Sequence, residues 1–343
     1  MAAWVEQSHA NLGDVGVWCA NEAVDRGEGY EVNGGRPGRR RPHPPSGARP
    51  RQVPERENDM TDTASFHLDR MNEAFAVDGF AVTRDRVAAF AAATNEHRHV
   101  YTSGEIAPPV FAVVPGFEAT VAACAAVVPD ELAKSVVHGE QIFEFHRPIA
   151  SGAVLDSVSR CTGVLAKSTG TLVVIETTSH ERGELVVTQH MICFVRGVRA
   201  EESRGALPPA HEVYGRSESA KQVPDKFDLD QTQRYAEASG DHMPIHLDEK
   251  FARSVGLPGV IIHGFCTLAF VARAAVETTC SDDPGRLRTL RARFATPGRP
   301  GEQIVTTVKR AAVIGDSEFF ELDAVERTSG RPLVVRGMAQ VAS

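Results

Sequence analysis

The sequence predicts an α+β protein made of two copies of one unit, each an antiparallel sheet wrapped around a central helix. The first observation is an internal repeat, in which four short segments recur in order at an offset of 145 to 149 residues. The second is that each copy has one long apolar helical segment followed by runs rich in β-branched residues. A helix followed by long antiparallel strands can bury its apolar side against the sheet, which gives this architecture.

The repeat consists of four pairs of matching segments. Identified by their first residues, the pairs are Phe90 with Tyr235, Pro115 with His263, Phe145 with Phe294, and Leu185 with Leu333. One such match could arise by chance, but four in the same order at a near-constant offset could not easily do so. The pattern therefore predicts a duplicated domain with only small insertions between its copies.

The elements of each unit are expected in the same order. A short helix is predicted over residues 86–94 and 230–239, in each case before a loop. A longer apolar helix is predicted over residues 117–128 and 265–276. Alternating and β-branched residues then predict antiparallel strands joined by hairpin turns. These strands and turns include residues 171–178, residues 184–195, Gly183, and Ser329 with Gly330.

The domain boundaries follow from length and composition. A chain of 343 residues favours two domains. Residues 1–59 include a stretch rich in Pro, Gly and Arg that cannot form a core, so we expect a disordered or non-structural extension, with translation starting at Met60. A basic arm that contacts a partner is the alternative. The first unit is placed at residues 60–199, a polar linker at 200–222, and the second unit at 223–343.

Charge and composition exclude several classes of protein. The formal net charge of −8 argues against nucleic-acid binding, because phosphate contacts need a basic surface. No apolar run approaches the roughly 20 residues that span a bilayer, and no secretory signal pattern opens the chain. The six cysteines form no C-x-x-C pair, which favours reduced, mostly buried thiols and a cytoplasmic location.

The residues that carry chemistry are concentrated in one stretch of the second unit. Residues 235–246 read Tyr-Ala-Glu-Ala-Ser-Gly-Asp-His-Met-Pro-Ile-His, and a His263-Gly264 pair follows. This run places the carboxyl group of Asp241 and the imidazole of His246 five residues apart, across a glycine and a proline. Two groups that exchange protons can together hold and polarise a water molecule.

This stretch resembles the motif of the MaoC-like hydratases, also called (R)-specific enoyl-CoA hydratases or hydratase 2. Their pattern is aromatic-x-x-x-Ser-Gly-Asp-x-Asn-Pro-aliphatic-His, then Phe-Ala, then His-Gly at the start of the central helix. The resemblance covers residues 60–343 and implies a double hotdog fold whose first half is degenerate. The residues in register are Tyr235, Ser239, Gly240, Asp241, Pro244, Ile245, His246, Phe251, Ala252, His263 and Gly264.

The resemblance implies a reaction and roles for individual residues. Hydration of a 2-enoyl thioester adds OH at C3 and a proton at C2, and the resemblance assigns the water to Asp241 and His246. Gly264 begins the apolar helix, where unpaired backbone N–H groups form an oxyanion hole. The residues expected to bind the substrate are His263, Gly240 and Met243.

Met243 departs from the family pattern, which has Asn at this position. A thioether is at best a weak hydrogen-bond acceptor, whereas an amide both donates and accepts. Since one neutral hydrogen bond is worth roughly 0.5–1.5 kcal/mol, the departure predicts slower catalysis rather than none. His242 is a candidate substitute donor.

The alternative to a catalytic role is that each of these residues has a structural role. Taken singly, Asp241 is a turn-capping carboxylate, His246 a satisfied buried imidazole, and Gly264 a small residue for helix packing. A metal site is a further alternative, because His242 and His246 are four residues apart like zinc ligands on a helix. Pro244 lies between them and no third ligand is evident, so we expect neither a metal nor a cofactor.

The first unit is not expected to hold a second active site. Glu96 occupies the position of Asp241, and Tyr101 that of His246. Its Pro108-Pro109-Val110-Phe111 segment (residues 108–111) is expected to help shape an acyl pocket.

The resulting hypothesis is a cytoplasmic double-hotdog hydratase or dehydratase. Its substrate would be a 2-enoyl or 3-hydroxyacyl thioester of CoA or acyl-carrier protein. The family further suggests a homodimer. The alternatives are a non-catalytic acyl-thioester binder and a hotdog thioesterase, which would release free thiol.

Overall fold

The computed structural model of the protein describes residues 62–209, 220–281 and 283–343, and the predicted extension over residues 1–59 lies outside them. The first unit contains eight strands, three helices and a 3-10 segment before its central helix. In chain order these are β1 (Asp62–Ala64), β2 (Phe75–Ala81), α1 (Arg84–Ala93), α2 (His99–Thr102), the 3-10 segment Pro109–Gly116, α3 (Phe117–Val127), β3 (Val136–Phe145), β4 (Val154–Lys167), β5 (Gly170–Glu181), β6 (Glu184–Arg196), β7 (Val198–Ala200) and β8 (Arg204–Gly205).

The second unit repeats this order with fewer small elements. Its strands and helices are β9 (Ala220–Lys226), α4 (Gln231–Ser239), α5 (Glu249–Ser254), α6 (Gly264–Thr279), β10 (Leu287–Phe294), β11 (Gln303–Ile314), β12 (Ser317–Glu326) and β13 (Pro332–Ala342). A 3-10 turn, Pro244–His246, lies between α4 and α5. The short helix, the long apolar helix and the strands all stand where the sequence predicts them, to within a few residues at each end.

One antiparallel sheet runs through both units. The strand order is β2-β4-β5-β6-β3 in the first unit and β9-β11-β12-β13-β10 in the second, with β3 and β10 side by side at the centre. These two strands pair from Thr289 opposite Glu144 to Arg293 opposite Glu140. The same strand order in both halves, together with one long helix in each, confirms the predicted α+β fold with a repeated unit.

The two central helices differ in how deeply they are buried. Helix α6 is buried on nearly all its faces, including Phe265, Leu268 and Val271, whereas α3 is shorter and keeps several half-buried positions. The main core combines α6 with apolar residues of the first unit such as Phe111 and Phe143. A helix that is apolar all round belongs inside a core rather than on its surface. The two units therefore share the main core, while a second cluster packs α3 against strands of the first unit.

The hairpin between β5 and β6 follows the sequence prediction. Arg182 and Gly183 have φ values of 52° and 82°, so both central residues of the turn are left-handed. That geometry matches the right-handed twist of the flanking strands and favours glycine at the second position.

Part of the segment predicted as a linker is paired in the sheet. Strand β8 falls within residues 200–222, and β9 begins at Ala220, which pairs with Lys309 of β11. Strand β9 is an edge strand with mostly exposed, polar side chains, so its sequence lacks the apolar alternation that marks an inner strand. Residues 210–219 lie outside the described part of the chain, and the domain limits remain a prediction.

The helical segment Pro109–Val127 bears on the predicted lack of a membrane span. It covers 19 residues with a mean hydropathy of 1.9, which is long and apolar enough to cross a bilayer by length and composition. Within the fold 67% of that window is buried, and the core helix of a globular protein passes the same test. The predicted absence of a span therefore stays a prediction, and this segment here forms part of the core.

Three side chains of the second unit cap the C-terminal end of α1. Arg234 Nη1 donates to the carbonyl of Ala92 at 2.6 Å, and Gln231 Nε2 donates to that of Ala93 at 2.5 Å. Arg273 Nη1 reaches the carbonyl of Thr94 at 3.4 Å. The last carbonyls of a helix have no partner within it, so these contacts satisfy them and fasten the two units together.

Candidate active site

The loop that carries the predicted acid and base is shaped by its backbone. Helix α4 ends at Gly240, whose φ of 81° is left-handed, and the Gly240 N–H donates to the Ala236 carbonyl at 2.8 Å. Glycine adopts this conformation without the clash that a Cβ would cause. The turn sends the chain away from the helix and brings Asp241 into the interior, where it is 9% exposed.

His246 is fixed by the turn that contains it. Pro244 opens a 3-10 turn in which the His246 N–H donates to the Met243 carbonyl at 3.0 Å. The imidazole is buried, and its Nδ1 lies 2.8 Å from the carbonyl oxygen of Ile261. Because a carbonyl only accepts, Nδ1 carries the hydrogen, and Nε2 of the neutral ring is left with a free lone pair. His246 is thereby prepared to act as a base.

His263 supports the loop from the other side. Its Nε2 donates to the backbone carbonyl of Asp241 at 3.0 Å, and its ring stacks on that of His246 with centroids 3.8 Å apart. The sequence predicted a substrate-binding role for His263, and the structure shows contacts with Asp241, with His246 and with the ring of Tyr235. A role towards the substrate remains a prediction for His263, as it does for Gly240.

The acid and base side chains converge. One nitrogen or oxygen atom can be chosen from each of Asp241, His246 and His263 so that the three atoms all lie within 4.8 Å of one another. A water that donates to two acceptors holds them about 4.5 Å apart, since each O–H···acceptor bond is about 2.8 Å long. The spacing therefore fits a shared water.

The same three residues revise the metal hypothesis. The sequence offered His242 as the partner of His246, but His242 is exposed and His263 is the third residue of the cluster. Zinc bonds of 2.0–2.1 Å place tetrahedral ligands about 3.4 Å apart, which lies within the 4.8 Å limit that contains the ligand atoms of this cluster. His246 Nδ1 and His263 Nε2 are also both engaged with backbone carbonyls. His246 Nε2 and His263 Nδ1 are the ring nitrogens that remain for a water or a metal, so the expected absence of a metal stays a prediction.

Gly264 begins α6 directly beside this cluster in the chain. His263 occupies the N-cap position without a side-chain cap bond, so the first N–H groups of α6 are not satisfied by a capping side chain. A Cβ built on Gly264 would lie 3.6 Å from Phe294 Cζ and 3.7 Å from His138 Nδ1. The glycine thus leaves room for about one further atom at the positive end of a long helix, which suits an oxyanion.

Burial sets the protonation of the histidines. It lowers the pKa of His246, against the opposing charge of Asp241, and lowers that of His263 well below 6.5, with His246 adding to the effect. The pKa of His138, near Gly264, is lowered by burial to about 4. All three rings are therefore neutral at neutral pH, as a base that accepts a proton from water must be.

These lowered values predict that the free energy of unfolding falls on acidification. Above about pH 6.5 the three histidines are neutral in both states, so their burial has no proton-linked cost. Below that pH the unfolded chain binds protons that the folded protein cannot, and stability is lost progressively towards the folded pKa values. Urea unfolding at pH 7.0 and 5.0 measures the loss, which should be smaller in His138→Phe. Equal stability at both pH values would contradict this assignment.

The corresponding positions of the first unit are arranged differently. Glu96 Oε1 accepts the N–H groups of His97 and Arg98, both at 2.9 Å, and Tyr101 is buried. Glu96 thus caps a turn. Because Tyr101 stands at the position of His246, this copy of the motif has no imidazole there, as the sequence indicates.

The helix start of the first unit is also closed. A Cβ on Gly116, the counterpart of Gly264, would meet Thr177 Cγ2 at 2.8 Å. Below it the hydroxyl groups of Thr120 and Thr177 lie 2.8 Å apart, and those of Ser159 and Thr177 2.7 Å. Thr177 of this buried hydroxyl cluster thus fills the space beside Gly116, whereas the space beside Gly264 can hold a further atom. This difference favours a single active site per chain.

Pro108 and Pro109 line a small cleft with Tyr101 and Phe145, whereas Val110 and Phe111 are buried in the core. The cleft also contacts Pro284 of the second unit. Two prolines of the predicted acyl-pocket segment therefore line this cleft, and a role in acyl binding remains a prediction.

Sequence reasoning missed two contributors to the site. The Ile261 carbonyl that orients His246 is a backbone group and leaves no trace in residue types. His138 lies in a β-rich run of the first unit, about a hundred residues before the motif, and nothing in that run marks it as near Gly264. Only the pairing of β3 with β10 brings it there.

Known proteins resemble both units. Residues 215–330 match the MaoC-like domain family, and residues 80–197 match the MFE-2 hydratase 2 N-terminal domain family. Over 182 residues the chain is 31% identical to the peroxisomal enoyl-CoA hydratase 2 of Arabidopsis thaliana. That match covers 50% of this chain and 59% of the plant protein, so the chain spans about three fifths of its length.

Solved structures share the fold. A MaoC-like dehydratase from Phytophthora capsici aligns with a TM-score of 0.68 and 25% identity, over 81% of this chain and 99% of that one. A Mycobacterium tuberculosis protein described as a double hotdog aligns with a TM-score of 0.55 and 12% identity, over 80% and 97% of the two chains. The expected double hotdog fold is thereby confirmed.

Proposed function

Because this chain joins an MFE-2 hydratase 2 N-terminal domain to a MaoC-like domain, we propose that it reversibly hydrates 2-enoyl thioesters to (R)-3-hydroxyacyl thioesters. The observation that carries the proposal is that ligand atoms of Asp241 and His246 lie within 4.8 Å of each other, a spacing that one shared water can bridge. Similarity to a protein named enoyl-CoA hydratase 2 supports the substrate class. The carrier is CoA or acyl-carrier protein, and no cofactor is required.

The geometry supports a simple course for the reaction. A water donates one hydrogen to the Asp241 carboxylate and the other to Nε2 of His246. These two bonds direct a lone pair of the water oxygen at C3 of the enoyl group. As the C–O bond forms, one of these acceptors takes a proton from the water. One of the same two groups delivers a proton to C2, so water is added across the double bond with no net proton uptake. Backbone N–H groups at Gly264 stabilise the negative charge that develops on the thioester oxygen.

The test is to incubate the protein with crotonyl-CoA and with a longer enoyl-CoA. Loss of the enoyl absorbance, with formation of the (R)-3-hydroxyacyl product, is the expected result. Release of free CoA thiol would indicate a thioesterase instead, and saturable binding without turnover at any chain length would indicate a binding protein. Activity that persists after dialysis against EDTA is expected, and its loss would revive a metal at Asp241, His246 and His263.

Met243 is expected to limit the rate only modestly, as its place in the sequence predicts. Its side chain is 42% exposed, and the contact it gives to Asp241 is from its backbone N–H, at 3.2 Å from Oδ1. An Asn side chain would leave that bond unchanged. We expect Met243→Asn to raise kcat by about tenfold at most, the value of one neutral hydrogen bond of roughly 0.5–1.5 kcal/mol. A larger gain in steady-state kinetics would mean that the amide binds the water or substrate directly.

Location and assembly are further proposals. The absence of a C-x-x-C pair and the burial of the five cysteines in the described residues support a reducing compartment. The cytoplasm is the proposed one, although the plant relative is named peroxisomal. A homodimer is proposed for the assembly. Fractionation of the source cells and light scattering of the purified protein test these two proposals.

A further inference from the structure

His138 lies in the wall of the second unit although it belongs to the first. It is carried by β3, and its ring sits between the rings of Phe265 and Phe294, with both centroids 4.7 Å away. Phe265 follows Gly264 in α6, and Phe294 ends β10, the strand that pairs with β3. Two aromatic contacts therefore hold the imidazole in one place beside the start of α6.

The space next to Gly264 is bounded by this imidazole. The position that a Cβ would take on Gly264 is 3.7 Å from His138 Nδ1 and 3.6 Å from Phe294 Cζ. Both distances are ordinary van der Waals contacts, so one atom fits there without displacing a neighbour. An oxygen in that space would be within a small shift of hydrogen-bond distance from Nδ1, since such bonds are about 2.9 Å long.

The chemistry of His138 suits a neutral donor. Burial keeps its ring uncharged at neutral pH, so one nitrogen carries a hydrogen and the other does not. Its Nε2 is buried without a hydrogen-bond partner among the residues that the structure describes. The other nitrogen, Nδ1, faces the space beside Gly264 and can donate to an oxygen there when it carries the hydrogen.

We propose that His138 is a second hydrogen-bond donor to the thioester oxygen that binds at Gly264, so that the first unit completes the active site of the second. This inference rests on the proposed hydration of enoyl thioesters. It gives the first unit, whose own site is closed, a direct part in catalysis. Two donors of different origin, one from a helix end and one from a neutral imidazole, would share the charge that develops on one oxygen.

The test compares His138→Phe with His138→Asn. Phenylalanine keeps the ring between Phe265 and Phe294 but has no N–H, whereas the side-chain amide of asparagine can replace Nδ1. Loss of one oxyanion donor typically lowers kcat by about 10²–10³-fold, and we expect the phenylalanine variant in that range with KM little changed. The asparagine variant should recover part of the loss. Circular dichroism and thermal unfolding confirm that both variants are folded.

A second measurement separates this inference from the proposed reaction. In an Asp241→Asn background without turnover, a bound dienoyl-CoA should absorb at longer wavelength, because donors polarise its carbonyl group. Adding His138→Phe should reduce that shift, whether or not the wild-type protein hydrates enoyl-CoA. A folded His138→Phe protein with wild-type kcat, or an unchanged absorbance shift in the double variant, would overturn the role of His138. Failure of the wild-type protein alone to hydrate any enoyl-CoA would instead remove the proposed function.

Discussion

Asp241→Asn is expected to reduce kcat for hydration of crotonyl-CoA by about 10²–10⁴-fold, the usual contribution of a positioned acid or base. The Asn side chain keeps an oxygen that can accept the Met243 N–H, which Oδ1 of Asp241 accepts at 3.2 Å. The loop should therefore keep its shape while losing the group that exchanges a proton with water. KM should change little, because the interaction lost belongs to the transition state.

His246→Gln is expected to have an effect of the same order. The amide of glutamine can still donate to the Ile261 carbonyl, which lies 2.8 Å from Nδ1 of His246, but it cannot take a proton from water at neutral pH. Because Asp241 and His246 act on the same water, the double variant should be little slower than either single one.

His242→Gln is the matched control, since His242 is an exposed histidine of the same loop. It should retain most of the activity. Near-full rates in both Asp241→Asn and His246→Gln, measured on folded proteins by the loss of enoyl absorbance, would refute the assignment of the site.

Arg273→Ala is expected to lower the free energy of unfolding by about 3 kcal/mol, the lower end for breaking a buried ion pair. The Arg273 side chain is 7% exposed, forms an ion pair with Asp225, and lies over the ring of Phe270. It also reaches the Thr94 carbonyl at the end of α1 in the first unit. Asp225 is 26% exposed and can regain water, which keeps the loss from being larger.

Arg70→Ala provides the comparison for this stability experiment. Arg70 pairs with Glu73 at 2.9 Å, but both side chains are 45% exposed. Exposed ion pairs of this kind contribute about 0–1 kcal/mol. Equal losses in the two variants, measured by urea unfolding at one salt concentration, would show that the contact between α6 and α1 does not stabilise the joined units.

The sequence predicted the fold largely because the two units repeat. The helix before each motif loop and the long apolar helix after it show a period close to 3.6, and burial of α6 extends that pattern to Thr279. The first three residues of β9 were assigned to the linker because an edge strand has no apolar side that marks it in the sequence. The hairpin at Gly183 was predictable because left-handed backbone favours particular residues.

The candidate site was predictable where its chemistry is local. Asp241 and His246 are close in the chain, and Gly240 with Pro244 are the residue types that a sharp loop between a helix and a turn requires. His263 was identified by its place before Gly264, but its contacts were not, because stacking on His246 depends on how α6 meets the loop. The exposure of Met243 was likewise invisible in the sequence.

By itself the sequence determined the duplicated α+β fold, the candidate acid and base, and the glycine at the start of the central helix. Each of these rests on neighbouring residues or on a regular period. Only the tertiary structure decided that His138 of the first unit lies beside Gly264, and that Arg234 and Arg273 of the second unit cap α1. Such contacts join residues more than a hundred positions apart, and their partners are set by the pairing of β3 with β10 and by the shared core.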